Sequence, residues 1–305
     1  KNRPMKIVFN GASSNEFLPI SGVPQRSILG PLLFIIYIDD LTQCLNSSAS
    51  LYADDLKILH AIDDLQDCRQ LQRDIDSTDN WCTNNALNLN PQKCCTMSFT
   101  LKNDPITYLY KINDITLEHV SSFRDLGVIF DPKLKFNSQF DSITKKVYKM
   151  LGFLIRTCRP FRQIESVIWL YKTLVRSQLE YATVIWSPKI YVDLLEKVQR
   201  KFTRYVFHKL HIPYLSYKDR LSMLNLTSLR TRRLEIDFKY LYKMVNGMIK
   251  TSCLSDMTIR LNRKNVRNMH LFGVKKFNTE LGKNSPRLMN LSLIHISEPT
   301  RPRLI

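Results

Sequence analysis

Two adjacent carboxylates, Asp54 and Asp55, stand between the runs Ser50-Leu51-Tyr52 and Leu56-Lys57-Ile58-Leu59. The pattern predicts a β-hairpin with both acids at its tip. Neighbouring negative charges repel and raise each other's pKa, so such a turn is costly unless a cation neutralises it. Carboxylate oxygens are hard ligands that suit Mg2+, and a cation held there could assist phosphoryl transfer. The alternative is a solvated Asp-Asp turn with no chemistry of its own.

Several elements must position that turn. Lys6-Ile7-Val8-Phe9 followed by Asn10-Gly11 predicts an opening β-hairpin. Gly30-Pro31 predicts the start of an apolar helix to about Leu41, with proline tolerated in the first turn. Between Asp64 and Leu87, the residues Leu65, Cys68, Leu71, Ile75 and Cys82 recur at helical spacing, which predicts a helix covering one face of a sheet. Cys94 to Phe99 reads as the next strand, and Tyr108 to Leu117 as a hairpin around Asn113-Asp114. Beyond Asp131-Pro132 the pattern turns helical, with helices expected near 137–157, 163–185, 190–208 and 228–248, separated by Pro160, Pro188 and Pro213. Trp81, Trp169 and Trp186 read as core. The expected fold class is α+β, an antiparallel sheet with packed helices followed by a mainly helical region.

The 305 residues suffice for two or three subdomains with real cores. The longest apolar run, Leu32 to Ile38, falls far short of the roughly 20 residues of a membrane span, and no signal peptide is visible. Seven cysteines without Cys-x-x-Cys spacing suit neither a disulfide framework nor a zinc site, which points to a reducing intracellular setting. Net charge is +18, unevenly spread. Residues 1–100 hold 8 Lys/Arg and 11 Asp/Glu, whereas residues 101–305 hold 37 and 16. All the excess positive charge lies downstream of the acidic turn, which suggests a polyanionic partner. Lys197, Arg200, Lys201 and Arg204 fall on one face of a predicted helix, opposite Leu194, Val198, Phe202 and Val206. Arg230, Arg232 and Arg233 form a second basic cluster. Both could track phosphates; each is equally a solvated helix face.

The run from Ser21-Gly22-Val23-Pro24-Gln25-Arg26-Ser27 through Leu29-Gly30-Pro31-Leu32-Leu33-Phe34 to Asp39-Asp40-Leu41, followed by Tyr52-Ala53-Asp54-Asp55, resembles motifs B and C of the reverse transcriptases of non-LTR retrotransposons, the jockey-like class above all. Three further blocks follow in order. Asn88-Leu89-Asn90-Pro91-Gln92-Lys93-Cys94 is similar to motif D, and Phe123-Arg124-Asp125-Leu126-Gly127-Val128 to the primer-grip block. Leu170 to Ala182 and Val198-Gln199-Arg200-Lys201-Phe202 are similar to the helical region beyond. The resemblance covers roughly residues 5–290. It implies an RNA-directed DNA polymerase with RNA template, DNA primer and dNTPs as partners, two Mg2+ ions in the complete enzyme, and a nuclear site of action.

Residue by residue, the resemblance makes Asp54 and Asp55 the catalytic metal ligands. It gives Pro24, Gln25 and Lys93 roles in positioning template and incoming nucleotide, and Leu126 and Gly127 the primer grip. Lys93 also reads as an exposed loop lysine, and Leu126 as core. Arg26 departs from the family, which has glycine there; it is either damage in a decayed copy or a tolerated variant whose guanidinium finds a phosphate. Asp39 and Asp40 match an ordinary acidic pair of the family and are not catalytic substitutes. A third acid, from motif A, lies upstream in this family. The chain opens on Lys1 in mid-pattern and is expected to be a fragment, incomplete for catalysis by itself.

The expected division is a palm portion over 1–130, a helical thumb-like basic region over 131–250 and an extension over 251–290. Two rival readings stand beside the polymerase. One is a group II intron maturase, whose motif B typically continues to a Ser-Pro pair where this chain has Leu29-Gly30-Pro31. The other is an inactive relic that binds nucleic acid through its basic half. Residues 291–305 begin Leu-Ser-Leu-Ile-His-Ile-Ser-Glu-Pro-Thr-Arg, the translation of a common transposase-based sequencing adapter. They are therefore expected to be read-through and stand outside the fold argument. Sequencing the encoding nucleotides checks this: codons that differ from the adapter at those positions would refute it.

Overall fold

A computed structural model describes residues 4–18, 27–102, 104–186, 191–213 and 215–249. They divide into two compact units, residues 1–120 and 121–305. The primer-grip block thus falls in the helical unit. Pro24, Gln25, Arg26, Pro188 and everything after 249, including the extension and the adapter-like tail, lie outside the described residues.

The first unit opens with the expected hairpin, β1 (Val8–Phe9) and β2 (Ala12–Ser13), around Asn10 and Gly11, whose φ angles of 47° and 82° are what a tight two-residue turn requires. Helix α1 spans Leu29–Ile38 and tightens into a 3-10 turn over Asp39–Cys44. The acidic hairpin follows as β3 (Ser48–Tyr52) and β4 (Asp55–Leu59). Helix α2, Leu65–Asn84, starts where an Asp64/Asp67 capping box satisfies its first amides. Asp64 accepts from the N–H groups of Gln66 and Asp67, and the Asp67 carboxylate reaches back to those of Asp63 and Asp64. The periodicity holds in part, for Cys68, Ile75 and Cys82 are buried whereas Leu65 is exposed. α2 carries two small cores. Trp81 and Cys82 pack with Ile38 and Leu41, joined by Leu51 and Leu56 of the hairpin; Ile75 packs with Ile112 and Leu117, joined by Ile58.

The remaining strands are shorter than the sequence suggests: β5 (Cys95–Thr96), β6 (Lys111–Ile112), β7 (Ile115–Thr116) and β8 (Glu118–His119). Among the described residues the ten strands form two-stranded ladders, with β5 and β8 parallel, and not one antiparallel sheet. Runs of two residues bury too little side chain to recruit a further strand; Ile112 of β6 packs on Ile75 of α2 instead, and Ile115 of β7 is exposed. The fold class is α+β nonetheless.

The second unit begins with β9 (Phe123–Asp125) and β10 (Val128–Phe130), then α3 (Asn137–Thr157). The single helix expected over 163–185 is broken. α4 (Ile164–Leu170) widens into a π-helical segment, Tyr171–Arg176, continues as α5 (Ser177–Glu180) and stops. Tyr181 is extended and Ala182 left-handed at φ 53°, so the helical ladder cannot pass them before α6 (Thr183–Trp186). α7 (Val192–Lys209), α8 (Tyr217–Met223) and α9 (Leu229–Val245) complete the unit. α8 was not foreseen, although its N-cap Ser216, three residues before Asp219, is a readable start signal.

One core unites these helices. Val167, Tyr171, Val175, Leu179, Trp186, Leu195, Val198, Phe202 and Val206 are fully buried, and the Tyr171 and Phe202 rings stack at 3.9 Å. Two tryptophans are core as expected, but Trp169 is 67% exposed, for the buried positions of this stretch are Val167 and Tyr171. One polar network inside the core is closely matched, although buried atoms such as Gln139 Nε2 and Arg220 Nε find no hydrogen-bond partner among the described residues. Tyr171 donates to Gln199, whose amide donates to the Thr227 carbonyl and the Tyr217 hydroxyl oxygen. The Glu196 carboxylate accepts from Tyr217 and from the N–H groups of Leu229 and Arg230, capping α9 with negative charge. Phe202→Ala should therefore cost about 3–5 kcal/mol, read as a lower urea midpoint for helical far-UV signal.

Candidate active-site turn and nucleic-acid interface

The acidic hairpin pairs Tyr52 with Asp55, leaving Ala53 and Asp54 as a two-residue loop. Burial alternates along β3: Ala49 and Leu51 turn inward, Ser48, Ser50 and Tyr52 outward. Leu56 and Ile58 of β4 join the α2 cores. Asp54 and Asp55 are both exposed, at the apex and on the first residue of the returning strand. The apex is strained, for Ala53 sits at φ 51°, which costs an L-residue about 1 kcal/mol. The pair fits a hard cation as far as donors go: two carboxylates, open to solvent, on one short turn. Among the described residues no third His, Cys, Asp or Glu gathers with them. Further ligands would be water, phosphate oxygens or another carboxylate.

What fixes this hairpin is a residue that the sequence reading missed. Asp74 of α2 is 1% exposed and grips the segment entering β3. It accepts from the N–H of Ser47 at 2.8 Å, the N–H of Asn46 at 3.2 Å, the Asn46 amide, the Gln70 amide and the Ser47 hydroxyl. The Ser47 oxygen also lies 2.9 Å from Nδ1 of His60, the residue just after β4, and His60 faces Asp67 across 3.9 Å. Both ends of the hairpin are thus clasped to one helix. Burial alone would raise the Asp74 pKa; the hydrogen bonds from Ser47 and Asn46 outweigh it and hold the carboxyl below its usual range. A charged residue on an otherwise apolar helical stripe was the available signal.

Lys93, exposed, ends a 3-10 turn over Pro91–Lys93 that Asn90 caps. Leu126 and Gly127 form the two-residue loop between β9 and β10, at φ 44° and 84°. Leu126 is 43% exposed, so it is not core.

On α7, Lys197, Arg200, Lys201 and Arg204 share the exposed face. The buried face is Leu195, Val198, Phe202 and Val206; Leu194, expected there, is 39% exposed because the stripe runs one residue later. Arg200 lies over the Tyr217 ring at 4.9 Å and Lys201 over Tyr148 at 5.5 Å, so two of the four cations are steadied by aromatic faces. The second basic cluster does not present itself as a unit. Arg232 clamps Glu180 with both its Nε and its Nη2, and Arg233 is 4% exposed, donates to the Leu179 carbonyl and lies over Trp186. Burial pushes Arg233 down to about 10. These two arginines hold the helices together, and Arg230 alone of the three is exposed.

Residues 3–154 match the protein family described as reverse transcriptase (RNA-dependent DNA polymerase). The chain belongs to the reverse-transcriptase family. Within it, the chain is 31% identical over 142 residues to the "Probable RNA-directed DNA polymerase from transposon BS" of Drosophila melanogaster, covering 43% of this chain and 16% of that protein. It is 25% identical over 225 residues to the RNA-directed DNA polymerase from mobile element jockey of Drosophila funebris, covering 67% of this chain and 24% of the relative. The jockey polymerase of Drosophila melanogaster is 21% identical over 217 residues, again 24% of its length. The chain therefore spans between a sixth and a quarter of the length of these three relatives. No solved structure matches it. The acidic turn, the Asp74 clasp and Lys93 all lie within the reverse-transcriptase segment, as does the turn at 126–127. No described helix is long and apolar enough to cross a membrane.

Asp74→Ala leaves the Ser47 and Asn46 donors unpaired, at about 1–3 kcal/mol for each that stays buried. Because the folded pKa of Asp74 is depressed, its contribution is complete above the unfolded value of 3.8 and fades as pH falls below it. Hydrogen exchange of the 48–59 amides should accelerate in the variant at neutral pH. Its stability should fall less steeply than the wild type's between about pH 5 and pH 3.

Proposed function

We propose that this chain is part of an RNA-directed DNA polymerase of a jockey-like mobile element, contributing a palm portion over 1–130 and a thumb-like basic region over 131–250. The observation that carries the reading is the pair Asp54 and Asp55, solvent-facing at the tip of a clasped hairpin inside the reverse-transcriptase segment. In this reading the two carboxylates hold Mg2+. Bound there, it supplies Lewis-acid stabilisation of charge on the attacking and leaving oxygens of nucleotidyl transfer. Asp54 is the primary ligand and Asp55 the second; the small Ala53 keeps the apex open to the primer. Pro24 and Gln25 position template and nucleotide, Lys93 balances charge on the departing pyrophosphate, and Leu126 with Gly127 grips the primer.

Lys197, Arg200, Lys201 and Arg204 contact nucleic-acid backbone. RNA template, DNA primer and dNTPs are the partners, and the nucleus is the site of action. A third acid from motif A completes the centre, so activity requires upstream sequence. Arg26, where the family has glycine, favours the second reading: a copy that still binds template and primer but no longer polymerises.

Joining the chain to an upstream reverse-transcriptase segment that carries motif A, with Gly restored at position 26, should give primer extension on an RNA template with Mg2+. Asp54→Ala should abolish it. Extension that survives Asp54→Ala would overturn the assignment, and extension lost only with Arg26 present would favour the relic. Binding offers a separate test on the chain itself: each of Lys197→Ala and Arg204→Ala should flatten the salt dependence of template–primer affinity by roughly 0.7–0.9 in log–log slope.

A further inference from the structure

The turn between β9 and β10 is unfavourable by itself. Leu126 and Gly127 both adopt left-handed backbone, which glycine tolerates and leucine does not, and the exposed Leu126 side chain recovers little by burial. Something outside the hairpin holds it, and that is Tyr181. Its hydroxyl donates to the Leu126 carbonyl at 2.6 Å, across 55 residues of chain. Its ring lies against Gly127 so closely that a Cβ there would sit 3.5 Å from Cε1 and 3.9 Å from the hydroxyl oxygen.

Tyr181 is itself aimed by the core. It stands at the break after α5, and its carbonyl accepts from Nε1 of the fully buried Trp186 at 2.7 Å. The preceding Glu180 is clamped by Arg232 and approached by Arg176 at 3.5 Å. The Tyr181 side chain is nonetheless 52% exposed, so its contact with the turn is not a by-product of core packing. Among the described residues the N–H groups of Leu126 and Gly127 donate to no protein acceptor. With the Leu126 carbonyl tied back, what the turn offers outward is donors, which suit phosphate and sugar oxygens.

We infer that Tyr181 is a positioning residue for the 126–127 turn, locking its two outward N–H groups in place for the 3′-terminal nucleotide of a primer. The inference rests on the reading of that turn as the primer grip, and it gives the Leu179-Glu180-Tyr181-Ala182 block a task beyond helix packing.

The test uses the chain itself and the variants Tyr181→Phe and Gly127→Ala. The first removes one hydroxyl from an exposed ring; the second strains the left-handed turn while leaving the tyrosine hydroxyl in the chain. Two probes are compared by fluorescence anisotropy: a DNA primer with a recessed 3′ end on an RNA template, and the same hybrid made blunt. Hydrogen exchange of the 123–130 peptide reports on the turn in the absence of nucleic acid. The wild type should prefer the recessed end by about three- to tenfold, the range one hydrogen bond spans. Both variants should lose that preference and exchange faster at 123–130, and Tyr181→Phe should keep the affinity for the blunt hybrid within about twofold. Unchanged exchange in Tyr181→Phe overturns the latch. Faster exchange with the end preference intact overturns the positioning role while leaving the latch. A wild type that binds both hybrids alike removes the primer-grip reading itself, and the inference falls with it.

Discussion

A two-residue hairpin loop forces its central residues toward left-handed backbone, and much of this protein is organised around that constraint. Where the turn is scaffolding, the sequence meets it with suitable residues: Asn10-Gly11 and Asn113-Asp114. Where the turn carries the proposed chemistry, it does not. Ala53 and Leu126 occupy the same region of backbone space at a cost that nothing local repays. Each of these turns belongs to a hairpin tied down by a polar group from another element. Asp74 holds the base of the acidic hairpin and Tyr181 holds the apex of the other. Strain of this kind persists only where surrounding structure over-determines it. Ala86, Leu134, Phe136, Ala182 and His211 are left-handed too, so it is the joining of strain to a clasp, not strain alone, that marks these two loops.

The two clasps differ in kind, and the difference follows from where each hairpin sits. The acidic loop must stay open to solvent and carries like charges that repel, so its anchor lies at the opposite end, where a buried carboxylate can collect five donors. A carboxylate placed near the apex would have added a third negative charge to the turn. The 126–127 loop carries no charge, so a neutral phenol can reach the apex directly and fix the carbonyl that would otherwise swing.

Much of this was legible in the sequence. Three of the hairpins announced themselves by Asn-Gly, Asn-Asp and Asp-Asp between apolar runs, and the approximate limits of α2, α3, α7 and α9 followed from periodicity and from the prolines between helices. What escaped had physical causes. The break at Tyr181-Ala182 leaves no glycine or proline to betray it, because Ala182 adopts the left-handed region under the pull of the buried Trp186 indole. Asp74 carried a signal, a charge on the buried stripe of α2, but nothing in the sequence says that residues 46 and 47 are its partners. The single expected sheet failed because strand-like runs were counted without asking whether two residues could hold a neighbour. Trp169 was misread because aromatic character was taken as burial, and its position on α4 was not weighed.

Charge required the same correction. The excess of basic over acidic residues after position 100 suggests a wide nucleic-acid footprint, yet part of that charge is consumed inside the protein. Arg232 is committed to Glu180, and Arg233 is sealed over Trp186 and lowered toward about 10 by desolvation. A guanidinium so enclosed cannot exchange its partners for phosphate without dismantling the helices around it. The cations of α7 differ in this respect. Lys197, Arg200, Lys201 and Arg204 are all outward, and the two that touch protein do so through aromatic faces that steady a charge without neutralising it. A basic side chain held over a ring loses less freedom on meeting a phosphate than one that wanders in solvent. The outward cations are therefore fewer than net charge implies, and α7 carries four of them on the face opposite its core stripe.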